Sequence, residues 1–160
     1  MNKGVVFLMT FNIVLVEPEI PQNTGNIVRT CAATGATLHL VKPLGFSLEN
    51  RYLKRAGLDY WPKLDMHIYD SLSEVPVISS KTYYITTKGT KSYAEVALEE
   101  GAFFVFGKET AGLPKELLDN NRNMTLRIPM KEDNRSLNLA NSVSIVLYEA
   151  LRQLNFDGLI

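Results

Sequence analysis

Three polar stretches of this 160-residue chain carry side chains that can hold and orient a ligand. They are Asn23-Thr24-Gly25-Asn26-Ile27-Val28-Arg29, the run FGKETAGL from Phe106 to Leu113, and IPMKEDNRSLN from Ile128 to Asn138. Asn23, Ser136 and Asn138 both donate and accept hydrogen bonds, Glu109 accepts, and Arg29 and Arg135 are permanent cations. Such a set suits the grip of a polar or anionic ligand. Each residue also has a plainer role open to it: Asn23, Ser136 or Asn138 as a helix cap, Glu109 as a turn residue, Arg29 as a surface cation.

The elements that would position these stretches follow from hydrophobic spacing. Phe11 to Val16 is a nearly continuous apolar run, as expected for a central strand buried on both faces. Pro18 and Pro21 then stiffen a loop, Asn23 or Thr24 starts a helix that runs to about Thr34, and Gly35 ends it. Leu38 to Val41, Met66 to Tyr69, Thr82 to Thr87, Phe103 to Phe106 and Met124 to Ile128 are further strands. Between them, residues 49 to 57 form a charged helix, Ser71 opens a short one, Tyr60-Trp61-Pro62 is an aromatic link and residues 88 to 91 are a basic loop. A weak helix is expected near Tyr93 to Leu98, and Pro114 is expected as the first residue of the helix KELLD. The last helix is strongly periodic: Leu139, Val143, Val146, Leu147, Ala150, Leu151 and Leu154 share one face, which must be buried.

Alternating strands and helices specify a single α/β domain with a mostly parallel sheet flanked by helices, over residues 11 to 160. Residues 1 to 10 form an N-terminal extension, too short in its apolar run for a signal-peptide core or a membrane span. Each polar stretch follows a strong strand, and in open parallel sheets ligands bind beyond the carboxyl ends of the strands, so the three can converge on one site.

Common alternatives lack their residues. No G-x-G-x-x-G, G-x-x-x-x-G-K-[ST] or G-x-S-x-G occurs, which leaves dinucleotide, P-loop and serine-hydrolase chemistry unsupported. His39 and His67 are the only histidines, each in a strand without a second ligand at metal spacing, so core or surface roles are expected and no metal. The lone Cys31 cannot form an internal disulfide and suits a reducing, cytoplasmic location as a small core residue. With 17 basic and 17 acidic residues the net charge is zero, so a polyanion must be held by a local patch.

Taken together in this order, N-x-G-N-x-x-R, F-G-x-E-x-x-G-L and I-P-M with S-x-N-L resemble the SPOUT RNA methyltransferases from about Phe11 to Asn155. EPEIPQNTGNIVR, RAGLDYW, TTKGT, FGKETAGLP and RSLNLANSVS are similar to its small TrmL-type tRNA 2′-O-methyltransferases, which act on the cytidine or uridine at the wobble position. That resemblance implies a deep trefoil knot in the C-terminal part, an obligate homodimer and S-adenosylmethionine bound in the knot without a metal. It implies cofactor contacts at Ile85, Gly107, Ile128 and Ser136, and active-site positions at Asn23, Arg29, Glu109, Ser136 and Asn138. Arg29 matches the arginine proposed to activate the ribose hydroxyl. A guanidinium is a poor base, so orienting the hydroxyl and a neighbouring phosphate suits it better, with Glu109 able to hold it by a charge-assisted bond.

The implied substrate is the tRNA anticodon stem-loop. Lys88 and Arg135 join Arg29 as substrate contacts, with Lys42, Arg51, Lys54, Arg55, Lys91 and Lys131 as further phosphate candidates. Tyr148, on the last helix, can approach a partner's site or pack in the core. A SPOUT-fold RNA-binding protein without catalysis, a methyltransferase acting at another RNA position and a flavodoxin-like small-molecule binder are the competing readings.

Overall fold

A computed structural model describes residues 10–57, 62, 64–77 and 81–160. The expected aromatic link at Tyr60 and Trp61 and most of the N-terminal extension lie outside these residues.

Seven strands form one sheet: β1 (Asn12–Val16), β2 (Thr37–Val41), β3 (Met66–Tyr69), β4 (Thr82–Ile85), β5 (Lys91–Ser92), β6 (Phe103–Phe106) and β7 (Thr125–Arg127). Their order is β3-β2-β1-β6-β4-β7-β5, and every strand pair is parallel. Four α-helices accompany them: α1 (Pro21–Thr34), α2 (Arg51–Gly57), α3 (Lys115–Asn120) and α4 (Leu139–Gln153).

Side-chain alternation along the strands builds two cores. Ile13, Leu15, Leu38, Leu40, Phe104 and Phe106 face α1 and α4, meeting Ile27, Val28 and Cys31 from the first helix and Val143, Val146, Leu147 and Ala150 from the last. The opposite face carries Val14, Val16, Val41, Tyr84, Phe103 and Val105, covered by Val75, Leu113 and the partly buried Leu117 and Leu118. Full burial of a side chain such as Leu147 contributes roughly 1.5–3 kcal/mol, so the expected α4 face is a principal source of stability. Only Leu154, which caps the helix, stays partly exposed. The Cys31 thiol is buried in this layer, and burial pushes its pKa up to about 12, as suits a small inert core residue.

Several boundaries differ from the sequence expectation. α1 starts at Pro21 rather than at Asn23 or Thr24, because proline's fixed φ and missing N–H fit the first helical position. Pro114 caps α3 from outside instead of opening it. The helix expected near Tyr93 to Leu98 is a single 3₁₀ turn, Tyr93–Glu95, closed by a Ser92/Glu95 capping box. The expected basic loop at 88 to 91 ends in β5, an edge strand of two residues that no periodicity can announce. Gly35, at φ 75°, ends α1 as expected.

The two histidines form one cluster at the β2–β3 edge. His39 is buried, with Nδ1 bonded to the Tyr69 hydroxyl and Nε2 to Asn12 Oδ1, both at 3.0 Å. The exposed His67 stacks on it at 5.6 Å between ring centroids and bonds Asp65 at 2.8 Å.

Candidate active site

The β1–α1 connection, the β6–α3 connection and the β7–α4 connection meet beyond the carboxyl ends of β1, β4 and β6, where chain crossovers leave room between loops. Glu109 is the hub. Its carboxylate accepts from the backbone N–H groups of Glu19 (2.7 Å) and Ile20 (3.1 Å) and from Asn23 Nδ2 (3.3 Å). No side chain of its own segment caps α1, so Glu109, about ninety positions away in sequence, satisfies donors at the helix entrance instead.

The pairing is reciprocal. Glu19 accepts from the Thr110 N–H at 3.0 Å and from its hydroxyl at 2.8 Å, so two adjacent connections are latched by two carboxylates pointing in opposite directions. Asn23, buried in the first turn of α1, extends this latch: its Oδ1 accepts from Asn138 Nδ2 at 2.9 Å. Asn138 Oδ1 in turn accepts from the Asn141 N–H at 3.2 Å and caps α4. Between the two candidate caps offered by the sequence, Asn138 takes the role and Ser136 stays on the rim.

These contacts frame an open cavity of about 610 Å³, within the range of small-molecule and cofactor pockets. Ile20, Asn23, Ile85, Gly107, Glu109, Ile128, Arg135, Ser136 and Asn138 all line it, together with Lys88. Eight of the sequence-nominated residues other than Lys88 therefore stand in one wall system, with Ile20 added from the same loop. Sequence reasoning missed Ile20, Thr86, Met130, Leu137 and Leu139, which give the cavity much of its apolar lining. It also missed Glu19, whose only sequence signal is an acidic side chain between two prolines.

Gly107 lines the cavity and also permits a close approach within its own loop. A Cβ there would stand 2.0 Å from the Gly112 carbonyl carbon and 2.2 Å from the Leu113 nitrogen. The close approach it allows is to its own loop, which folds back through the Lys108–Gly112 bridge.

Two nominated residues are elsewhere. Arg29 is exposed on α1 and does not line the cavity; six residues past Asn23, it lies about 9 Å further along the helix axis. The Glu109 carboxylate is engaged by the α1 entrance and Asn23. Tyr148 is 46% exposed on α4 rather than packed in the core, because its position falls outside the apolar stripe.

The chain is similar to known proteins over nearly its whole length. The SpoU rRNA Methylase family matches residues 10–148. A tRNA (cytidine(34)-2′-O)-methyltransferase from Methylovorus glucosotrophus is 50% identical over 153 residues, covering 94% of this chain and 99% of the relative. Among solved structures, one concerned with 2-OH methylation of C/U34 on tRNA superposes with a TM-score of 0.83 at 45% identity, covering 92% of this chain and 98% of the other. An AdoMet-bound rRNA methyltransferase from Sinorhizobium meliloti gives 0.78 at 25% identity, covering 91% of this chain and 57% of the other. With an all-parallel sheet, three converging connections and a family match spanning most of its length, the chain belongs to the SpoU methylase family.

Proposed function

We propose that this chain transfers a methyl group from S-adenosylmethionine to the ribose 2′-hydroxyl of the wobble nucleotide, cytidine or uridine 34, of tRNA. The observation that carries the proposal is the Glu109–Asn23–Asn138 network beside a cavity lined by Ile85, Gly107, Ile128 and Ser136. The half-identical tRNA (cytidine(34)-2′-O)-methyltransferase supports the choice of substrate.

The residues present fit the cofactor. Ile85, Ile128, Leu137 and Leu139 offer apolar surface for a purine, while the main chain around Gly107 and the Ser136 hydroxyl offer polar contacts. When bound, S-adenosylmethionine supplies a methyl group activated by a sulfonium. The chain's own task is positioning, which supplies much of the acceleration in an in-line transfer. Asn23, fixed from both sides by Glu109 and Asn138, presents a rigid polar edge at the cavity. Arg135 and Lys88 stand at its rim to hold the phosphates of the anticodon stem-loop.

Arg29 orients the acceptor hydroxyl and an adjacent phosphate in this proposal, from a protomer interface rather than from the wall of its own cavity. A homodimer follows, with Ile20, Leu137 and Tyr148, 40–46% exposed in the single chain, as apolar surface for it to cover. Residues 11–160 then form one SPOUT domain working in the cytoplasm, its C-terminal part threaded as a deep trefoil knot.

Purified protein, S-adenosylmethionine and tRNA test the proposal, with the methylated nucleotide mapped by mass spectrometry. The expected product is 2′-O-methylation at position 34, abolished by Arg29→Ala with cofactor affinity retained. Cofactor binding without methylation of any tRNA, at any salt concentration, overturns it.

A further inference from the structure

A second cavity, of about 650 Å³, lies behind the first and has no role in the site described so far. The two share Thr86, Lys88, Lys108, the turn from Ala111 to Leu113 and Leu118 of α3, so they adjoin across the β4 and β6 connections. The far side of the second cavity is built by Lys115 and Asp119 of α3, with Arg122 and Thr125 leading into β7.

Its charge is not balanced. Four cations, Lys88, Lys108, Lys115 and Arg122, line it against two carboxylates, Glu17 and Asp119. Lys108 is paired with Glu17 at 3.0 Å and Lys115 with Asp119. Lys88 and Arg122 have no carboxylate within ion-pairing distance among the described residues, although both line the cavity. Arg122 is also held in place through its backbone: its carbonyl accepts from the Thr90 hydroxyl at 3.2 Å and from the Thr125 hydroxyl at 2.8 Å. A guanidinium on an anchored backbone and an ammonium lining the same cavity, with the Thr86 hydroxyl, are a donor set for a phosphate oxygen.

We propose that this second cavity holds a phosphodiester of the RNA strand beside the methylated nucleotide, gripped by Arg122 and Lys88. The assignment rests on the methyltransferase proposed above. Lys88 lines both cavities, so one side chain would connect the strand at the acceptor ribose to the strand beyond it. A neutral chain needs such local grips, because no global field draws RNA toward it.

Arg122→Gln tests the proposal in the full-length protein, with Arg122→Lys as the conservative control and thermal melting to verify the fold. Binding of a labelled anticodon stem-loop RNA is titrated over a range of salt, and methyl transfer is followed as KM and kcat for tRNA. The expected result for Arg122→Gln is RNA binding weaker by about tenfold, a salt slope reduced by about one, and a raised KM with kcat and S-adenosylmethionine affinity retained. Arg122→Lys restores most of the binding. RNA affinity and salt slope both equal to wild type overturn the proposal. So does tight binding of AMP that Arg122→Gln abolishes while RNA binding is unchanged, since the cavity then serves a free nucleotide. RNA binding is read without turnover, so a protein that binds RNA through Arg122 but methylates none refutes the proposed reaction and leaves this grip standing.

Discussion

Asn138 Nδ2 donates to Asn23 Oδ1 at 2.9 Å across a sequence separation of 115 residues, and the same Asn138 caps α4 through its oxygen. One side chain thus does two separable things, and substitution can split them. Asn138→Asp keeps an oxygen for the Asn141 N–H and loses the donor to Asn23. The cap is expected to survive, with about 1–3 kcal/mol lost at the unpaired Asn23 oxygen and methyl transfer reduced about tenfold or more. Asn138→Ala should lose the cap as well, at about 1 kcal/mol. Denaturant unfolding and initial rates measured side by side check both; wild-type activity in Asn138→Asp would refute a role for the Asn23 contact.

The opposed carboxylates of Glu19 and Glu109 should behave as one latch. Glu109→Ala leaves two backbone N–H groups and the Asn23 amide without their acceptor, at a cost of about 1–3 kcal/mol. Glu19→Ala frees Thr110. A double-mutant cycle is expected to give a coupling of about 0.5–3 kcal/mol, whereas independent loops would give additive losses.

Gly107→Ala places a methyl group against the Gly112 and Leu113 backbone, which cannot rotate aside. The turn from Lys108 to Gly112 must open, and with it the cavity wall. Calorimetric titration should show S-adenosylmethionine binding lost or greatly weakened, while circular dichroism retains the sheet and helix signal.

Burial, and secondarily the nearby His67, lowers the His39 pKa to about 4 from its ordinary 6.5. The folded protein therefore resists protonation that the unfolded chain accepts. Between pH 6.5 and about 4 the unfolded state binds more protons, so stability is full above pH 6.5 and falls as pH drops through that window. Melting temperatures from pH 7.5 to 4.5 should decline in wild type, with a shallower decline in His39→Gln. Identical slopes would remove His39 as the cause.

The sheet and α4 were legible because their signals are long. FNIVLV and FFVF are apolar at nearly every position, and seven α4 residues keep helical spacing, so burial on two faces and on one face could be told apart. β5 was not legible, since two residues hold no period. The start of α1 was displaced because Asn23 has the chemistry of a cap; what overrides it is Pro21 inside the chain and Glu109 from the adjacent β6–α3 connection. The site was legible as three loops following three strands. The bonds inside it were not: Glu109 was expected to hold Arg29, and only the folded arrangement reveals that the helix entrance and Asn23 claim its oxygens. Glu19 and Arg122 gave no sign at all, because their importance lies in neighbours remote in sequence.

The cavity takes its walls from residues near 20, 85, 107 and 128 to 139, and its last helix is set by a cap at position 138. A fragment ending before Ile128 therefore carries one wall of the pocket, from Asn23, Ile85 and Gly107, and lacks the facing one. During synthesis the pocket is complete only once the last fifth of the polypeptide has left the ribosome and α4 has docked. A chain cut short before Ser136 thus lacks the wall that closes the pocket, which ties ligand binding to completion of the polypeptide.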